Sequence, residues 1–263
     1  DPSTDCQSVD FYIIANEAAM VAEEDIPALG PDTTEEQLRS FRFIALNTHS
    51  GIPMCIHEPV ELNMMAVRDM SGLEQENTAS AFVAAGNRNY YGIETDIHAT
   101  SDGKFIINHD GNLKRIAGED LSVEQVSFDV LRAAVLYDKD GVKRGDLHLA
   151  SVDEYVRICK KYGKICVLEL KSNFTDEEIA RLCAMIEQLG YLDGVTFIAF
   201  NIENLIKVRA LYPEQPCQYL TGDVSDEMIA KLAELKMDLD VHYAALTKER
   251  VDAFHQAGIK INC

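Results

Sequence analysis

From about residue 61 onward, short apolar runs alternate with stretches whose apolar residues recur every three or four positions. The runs predict strands over 62–67, 90–98, 105–109, 164–171, 195–201, 217–221, 239–243 and 259–263. The longer-period stretches predict helices over 78–86, 123–135, 151–161, 176–189, 202–211, 225–235 and 247–257. Ser122 is followed three residues on by Gln125, and Thr175 by Glu178, the spacing of a capping box. Gly163, Gly190 and Gly258 stand where helices should stop. Strands alternating with helices build parallel βα units. Eight such strands, with no GxGxxG or GxxxxGK[ST] phosphate loop, predict a TIM-type (β/α)8 barrel rather than an open doubly wound sheet.

The first 60 residues do not share this rhythm. Stretches 16–24 and 34–43 read as helix and 47–59 as loop. The expected organisation is an N-terminal extension over 1–60, with no role assigned, and an α/β barrel over 61–263. The run at 259–263 ends the chain without a following helix pattern, so the barrel is expected to lack its last helix. Apolar surface left there would be covered by the extension or by a second copy in a homo-oligomer.

Charge narrows the partners. Lys and Arg total 24 against 44 Asp and Glu, a formal charge of −20, which opposes binding to nucleic acid or to an anionic membrane. No apolar run reaches the ~18 residues of a membrane span. The start, Asp1-Pro2-Ser3-Thr4-Asp5, lacks the basic-then-apolar pattern of a signal peptide. The 7 cysteines are scattered, without a CxxC pair, and read as small buried hydrophobes of a reducing compartment, so a cytoplasmic location is expected.

Candidate chemistry lies on three strands. In Gly92-Ile93-Glu94-Thr95-Asp96-Ile97-His98, alternation puts Glu94, Asp96 and His98 on one face and the apolar residues on the other. Ionisable groups inside a barrel need a partner, and a divalent cation held by carboxylates supplies one; an exposed edge strand is the other reading. Glu169 and Lys171 share a face in the same way, either as a third carboxylate beside a lysine reaching for an anion or as a buried salt bridge to Glu94. His109, ending the apolar run Phe105-Ile106-Ile107, falls at a strand's C-terminal mouth, where a general acid/base role competes with that of an ordinary surface histidine.

Taken together, Met65 through Thr78 with its Glu76-Asn77-Thr78, the Glu94-x-Asp96 strand, Asp102-Gly103, Asn108-His109-Asp110 through Arg115, and Leu168-Glu169-Leu170-Lys171 resemble the glycerophosphodiester phosphodiesterase family. The resemblance runs from about 61 to 263. It implies a TIM-type barrel hydrolysing glycerophosphodiesters, molecules of lipid metabolism, to glycerol 3-phosphate and an alcohol. It also implies that Glu94, Asp96 and Glu169 bind a divalent cation, Ca²⁺ or Mg²⁺. Arg68 would contact the phosphate with Lys171 assisting, and His109 would be the general acid/base.

Two residues depart from the family pattern. Where it has His-Arg-Gly, this chain has Val67-Arg68-Asp69. Val67 cannot move a proton, and Asp69 adds negative charge near the phosphate. His98, sharing the face of Asp96, is the candidate to replace the lost histidine or to contact substrate. The expectation is therefore a metal-dependent phosphodiesterase with impaired turnover. The alternative is a catalytically silent relative that binds a phosphate-bearing ligand or a protein partner.

Overall fold

The computed structural model describes residues 41–44, 54–57, 65–67 and 74–263. Strand β1 (Phe41–Ile44) pairs antiparallel with β2 (Met54–His57), Phe41 opposite His57 and Ile44 opposite Met54. The helix expected over 34–43 thus gives way to extended backbone at Phe41, and the expected loop over 47–59 contains a strand. Phe41, Phe43 and Ile44 favour extended pairing, and the partner run contributes Ile56. The helix expected over 16–24 lies outside the described residues.

Strand β3 (Met65–Val67) runs parallel to β4 (Gly92–Ala99). Strand β5 (Phe105–Ile107) corrects an expectation: it pairs antiparallel with β4, Ile97 opposite Ile107, and is an arm of a hairpin rather than a stave of the barrel. The five residues between the two strands are too few for the crossover that a parallel partner requires. Gly103 makes the turn, with a φ of +72°.

Five further strands follow: β6 (Ile165–Leu170), β7 (Val195–Ala199), β8 (Cys217–Leu220), β9 (Asp238–Asp240) and β10 (Ile261–Asn262). All are parallel and continue from β4 in that order, so the main sheet has seven parallel strands among the described residues rather than eight. Its described ladders form an open path, with none joining β10 to β3.

Helix α1 (Ala79–Gly86) links β3 to β4. Between β5 and β6, an insertion carries α2 (Lys114–Ala117) and α3 (Phe128–Ala133), and then α4 (Val152–Tyr162) returns to the sheet. The single helix expected over 123–135 is broken, because Val126 and Ser127 are extended and the Asp102 carboxylate accepts from Phe128 N–H at 2.9 Å. Ser122 makes no side-chain cap. The later crossovers are α5 (Asp176–Gln188), α6 (Ile202–Leu211), α7 (Asp226–Leu235) and α8 (Lys248–Gln256). Helices α4 and α5 open on complete capping boxes, Ser151 with Glu154 and Thr175 with Glu178.

The sheet has two unlike faces. Ile93, Ile97, Leu168, Leu170, Phe197 and Leu239 belong to the large core under the helices. On the opposite face, Val167 and Ile198 form a small separate cluster with Ile165 and Leu220. The insertion has its own core, built on Ile106, Leu113, Ile116, Leu131, Leu136 and Leu149. The five cysteines of the described region are free, and Cys159, Cys166, Cys183 and Cys217 are buried as expected. Among the described residues no helix is long and apolar enough to cross a membrane.

Candidate active site

Register and alternation build the site. Asp96 stands opposite Glu169 on β6, and Glu94 lies two residues before Asp96 on the same face of β4. Their side chains leave the sheet away from the helix-packed core. Glu94, Asp96 and Glu169 are buried, Asp96 completely, and each offers a carboxylate oxygen within 4.8 Å of the others.

Lys171, one residue past β6, places its Nζ 3.1 Å from Glu169 Oε1 and 3.4 Å from Asp96 Oδ1. Burial lowers the affinity of this amine for its proton, but Asp96 and then Glu169 outweigh that effect and hold its pKa above the usual lysine value. The salt bridge expected as the competing reading therefore exists, but to Asp96 and Glu169. It offsets one of three neighbouring negative charges. Three hard oxygen donors, buried and converging, fit a divalent cation.

His98 continues the face of Asp96. It is buried, with Nδ1 3.4 Å from Glu124 Oε1, and among the described residues its Nε2 has no hydrogen-bond partner. Glu124 also accepts from Ser172 Oγ at 2.6 Å.

His109 follows Asn108, whose N–H donates to the Asp96 carbonyl at 3.1 Å. That bond carries the end of the hairpin back to the strand of the carboxylates. His109 Nδ1 is 2.7 Å from Asp110 Oδ1, and Arg115 Nε donates to Asp110 Oδ2 at 2.7 Å. Arg115 in turn grips Glu76 through both terminal nitrogens, at 2.9 and 2.5 Å. Burial pushes the Asp110 carboxyl up, but Arg115 and then His109 outweigh it, and the group stays below the usual carboxylate range. An ionised Asp110 only accepts, so Nδ1 of His109 is the donor.

Arg68 and Asp69 lie outside the described residues. Val67 is in register with Glu94.

The Glu76-Asn77-Thr78 motif has a structural reading as well. Asn77 adopts a left-handed φ of +60°, and its Oδ1 accepts from Thr95 Oγ1 at 2.7 Å, while Thr78 caps α1 by accepting from Ala81 N–H.

Sequence reasoning did not single out Asp240. It is in register with Leu220 and Asn262, accepts from Asn262 Nδ2 at 2.8 Å, and is partly buried. Burial, with the Glu169 charge adding to it and Asn262 opposing, raises its pKa to about 7. The Asp238-Leu239-Asp240 alternation carries the same kind of signal as Glu94 and Asp96, but with a single apolar residue it is too weak to single Asp240 out.

A parallel α/β sheet with clustered carboxylates, a lysine and a nearby histidine toward the strands' C-terminal ends has the layout of a barrel phosphodiesterase. The sequence model of the glycerophosphoryl diester phosphodiesterase family matches residues 63–263, and the chain belongs to that family. A glycerophosphodiester phosphodiesterase from Bacillus altitudinis is 25% identical over 201 residues, spanning 73% of this chain and 81% of the relative. The structure of an Oleispira antarctica phosphodiesterase in complex with its product sn-glycerol-3-phosphate superposes with a TM-score of 0.66 at 25% identity, covering 75% of this chain and 81% of that one. A glycerophosphodiester phosphodiesterase from Parabacteroides distasonis gives a TM-score of 0.58 at 26% identity, covering 71% and 75%.

Proposed function

We propose that the protein hydrolyses glycerophosphodiesters to glycerol 3-phosphate and an alcohol with a divalent cation, Ca²⁺ or Mg²⁺, at a rate reduced by Val67. The observation that carries this reading is the buried Glu94–Asp96–Glu169 cluster with Lys171 against it. Those three carboxylates would hold the cation, which when bound supplies Lewis-acid stabilisation of charge on the phosphoryl oxygens. Lys171 and Arg68 would bind the anionic phosphate and orient it. His109, its Nδ1 donating to Asp110, would act as the general acid/base through Nε2, taking the proton from the attacking water and passing it to the departing alcohol oxygen. His98 would contact substrate from the end of the same strand as Asp96.

Val67, at the register position of Glu94, favours a second reading: a silent relative that binds a phosphate-bearing ligand or a protein partner without turnover. Loss of an acid/base group costs about 10²–10⁴ in rate. Glycerol 3-phosphate release from glycerophosphocholine, with each cation, tests both readings on the parent and on Val67→His. Slow metal-dependent release in the parent, rising about 10²–10⁴-fold in the variant, is the expected outcome. No release in the parent with release in the variant supports the silent reading.

A further inference from the structure

We propose that Arg115, pinned by Glu76, is a positioning residue that fixes the orientation and tautomer of His109 through Asp110. The proposal rests on the phosphodiesterase reading for its catalytic consequence, while its structural part stands on the geometry alone.

Four side chains form one line of hydrogen bonds: Glu76 to Arg115, Arg115 to Asp110, Asp110 to His109. Each link uses a different edge of its residue. Asp110 gives Oδ1 to the imidazole and Oδ2 to the guanidinium, so the carboxylate cannot rotate without breaking one of them. Arg115 uses Nε for Asp110 and its two terminal nitrogens for Glu76. The fork geometry of a guanidinium allows this double engagement, and a lysine ammonium, with no planar fork, does not reproduce it.

The anchors of this line lie in separate parts of the fold. Glu76 precedes α1, whereas Arg115 sits on α2, whose Ile116 and Ala117 are buried in the insertion's own core. His109 and Asp110 belong to the segment leaving β5. The line therefore ties the insertion to the sheet at the point where His109 emerges.

Stability alone is a weak account of it. The Arg115 side chain is 44% exposed, which weakens the contribution of its pairs to folding, although Glu76, at 11%, is gripped at two points. What the arrangement does achieve is chemical. An acceptor held at Nδ1 places the neutral ring's proton there and makes Nε2 the basic nitrogen, the state a proton-transferring histidine needs. Freed from Arg115, the Asp110 carboxylate can turn away and the ring can exchange tautomers.

The test reads the ring directly. Nitrogen-15 NMR of the imidazoles, with the His109 signals assigned by loss in His109→Gln, is compared for the parent, Arg115→Gln, Arg115→Lys and Glu76→Gln. The expected result is a His109 ring carrying its neutral-state proton on Nδ1 in the parent, and a mixture of tautomers in Arg115→Gln. Arg115→Lys should fall between them, and kcat for glycerophosphocholine should drop about 10–100-fold in Arg115→Gln with little change in KM. Should Arg115→Gln not fold, Glu76→Gln serves as the second variant with the same expected change. A parent ring protonated on Nε2, or a ring unchanged in folded Arg115→Gln or Glu76→Gln, overturns the proposal. A tautomer that changes as expected in a protein that releases no glycerol 3-phosphate supports the positioning line and counts against the hydrolase reading.

Discussion

Asp240 shows how one side chain can be set against the fold that carries it. Its pKa moves from 3.8 to about 7 on folding. Between those values the native chain holds a proton that the unfolded chain has released. Stability contributed by this group is therefore present below about pH 4 and lost as pH rises toward 7. Asp240→Asn keeps the size of the side chain and an oxygen for Asn262, and removes the charge. In chelator-treated protein its melting temperature should exceed the parent's by more at pH 8 than at pH 4. An equal difference at both values would mean that the carboxyl is not perturbed. Glu94, Asp96 and Glu169 were legible from alternation because they interrupt long apolar strands. Asp240 was not, since a three-residue strand gives so little apolar contrast. The Arg115 line was invisible for another reason: hydrogen bonds between Glu76 and Arg115, 39 positions apart, leave no periodic trace.

At the level of elements, capping chemistry and periodicity carried most of the reading. Helix α6 falls on the expected 202–211, and α5 begins where Thr175 and Glu178 place it. Thr175 Oγ1 accepts from Glu178 N–H at 3.2 Å, and the Glu178 carboxylate accepts from Thr175 N–H at 2.8 Å. Thr175→Ala should destabilise the protein by about 1 kcal/mol, read as a lower urea midpoint with unchanged slope. The misreadings have different causes. The hairpin of β4 and β5 is written in the five residues between them, too few for a parallel crossover, whereas the break between Val126 and Phe128 is decided by Asp102, which the chain meets in space.

For the molecule as a whole, the proposed cation site would couple ligand to fold. Like charges gathered at the sheet's inner face oppose compaction, and a bound cation reverses this by mass action. Titrating Ca²⁺ or Mg²⁺ into chelator-treated protein should raise the melting temperature, by about 2.7 kcal/mol of stabilisation at a hundredfold excess over Kd. Glu169→Gln should abolish most of that response, and an undiminished response would remove Glu169 from the site. The α/β class and the parallel order of the strands other than β5 were both reachable from the alternation of apolar runs and helices. Closure was not, because it depends on a ladder between β3 and β10, the ends of the path.

The buried cysteines have a use of a different kind. Cys159 lies on α4, Cys166 on β6, Cys183 on α5 and Cys217 on β8, adjoining layers of a single core. Burial pushes the Cys183 and Cys217 thiols up to about 12, and the Cys159 thiol is raised well above its ordinary value by the same cause. A thiol reagent requires both access and a thiolate, so these side chains react only when their layer opens. They are four internal clocks. One shared labelling rate would mean that sheet and helices come apart as a unit, and a spread of rates would rank the layers by the free energy of opening each.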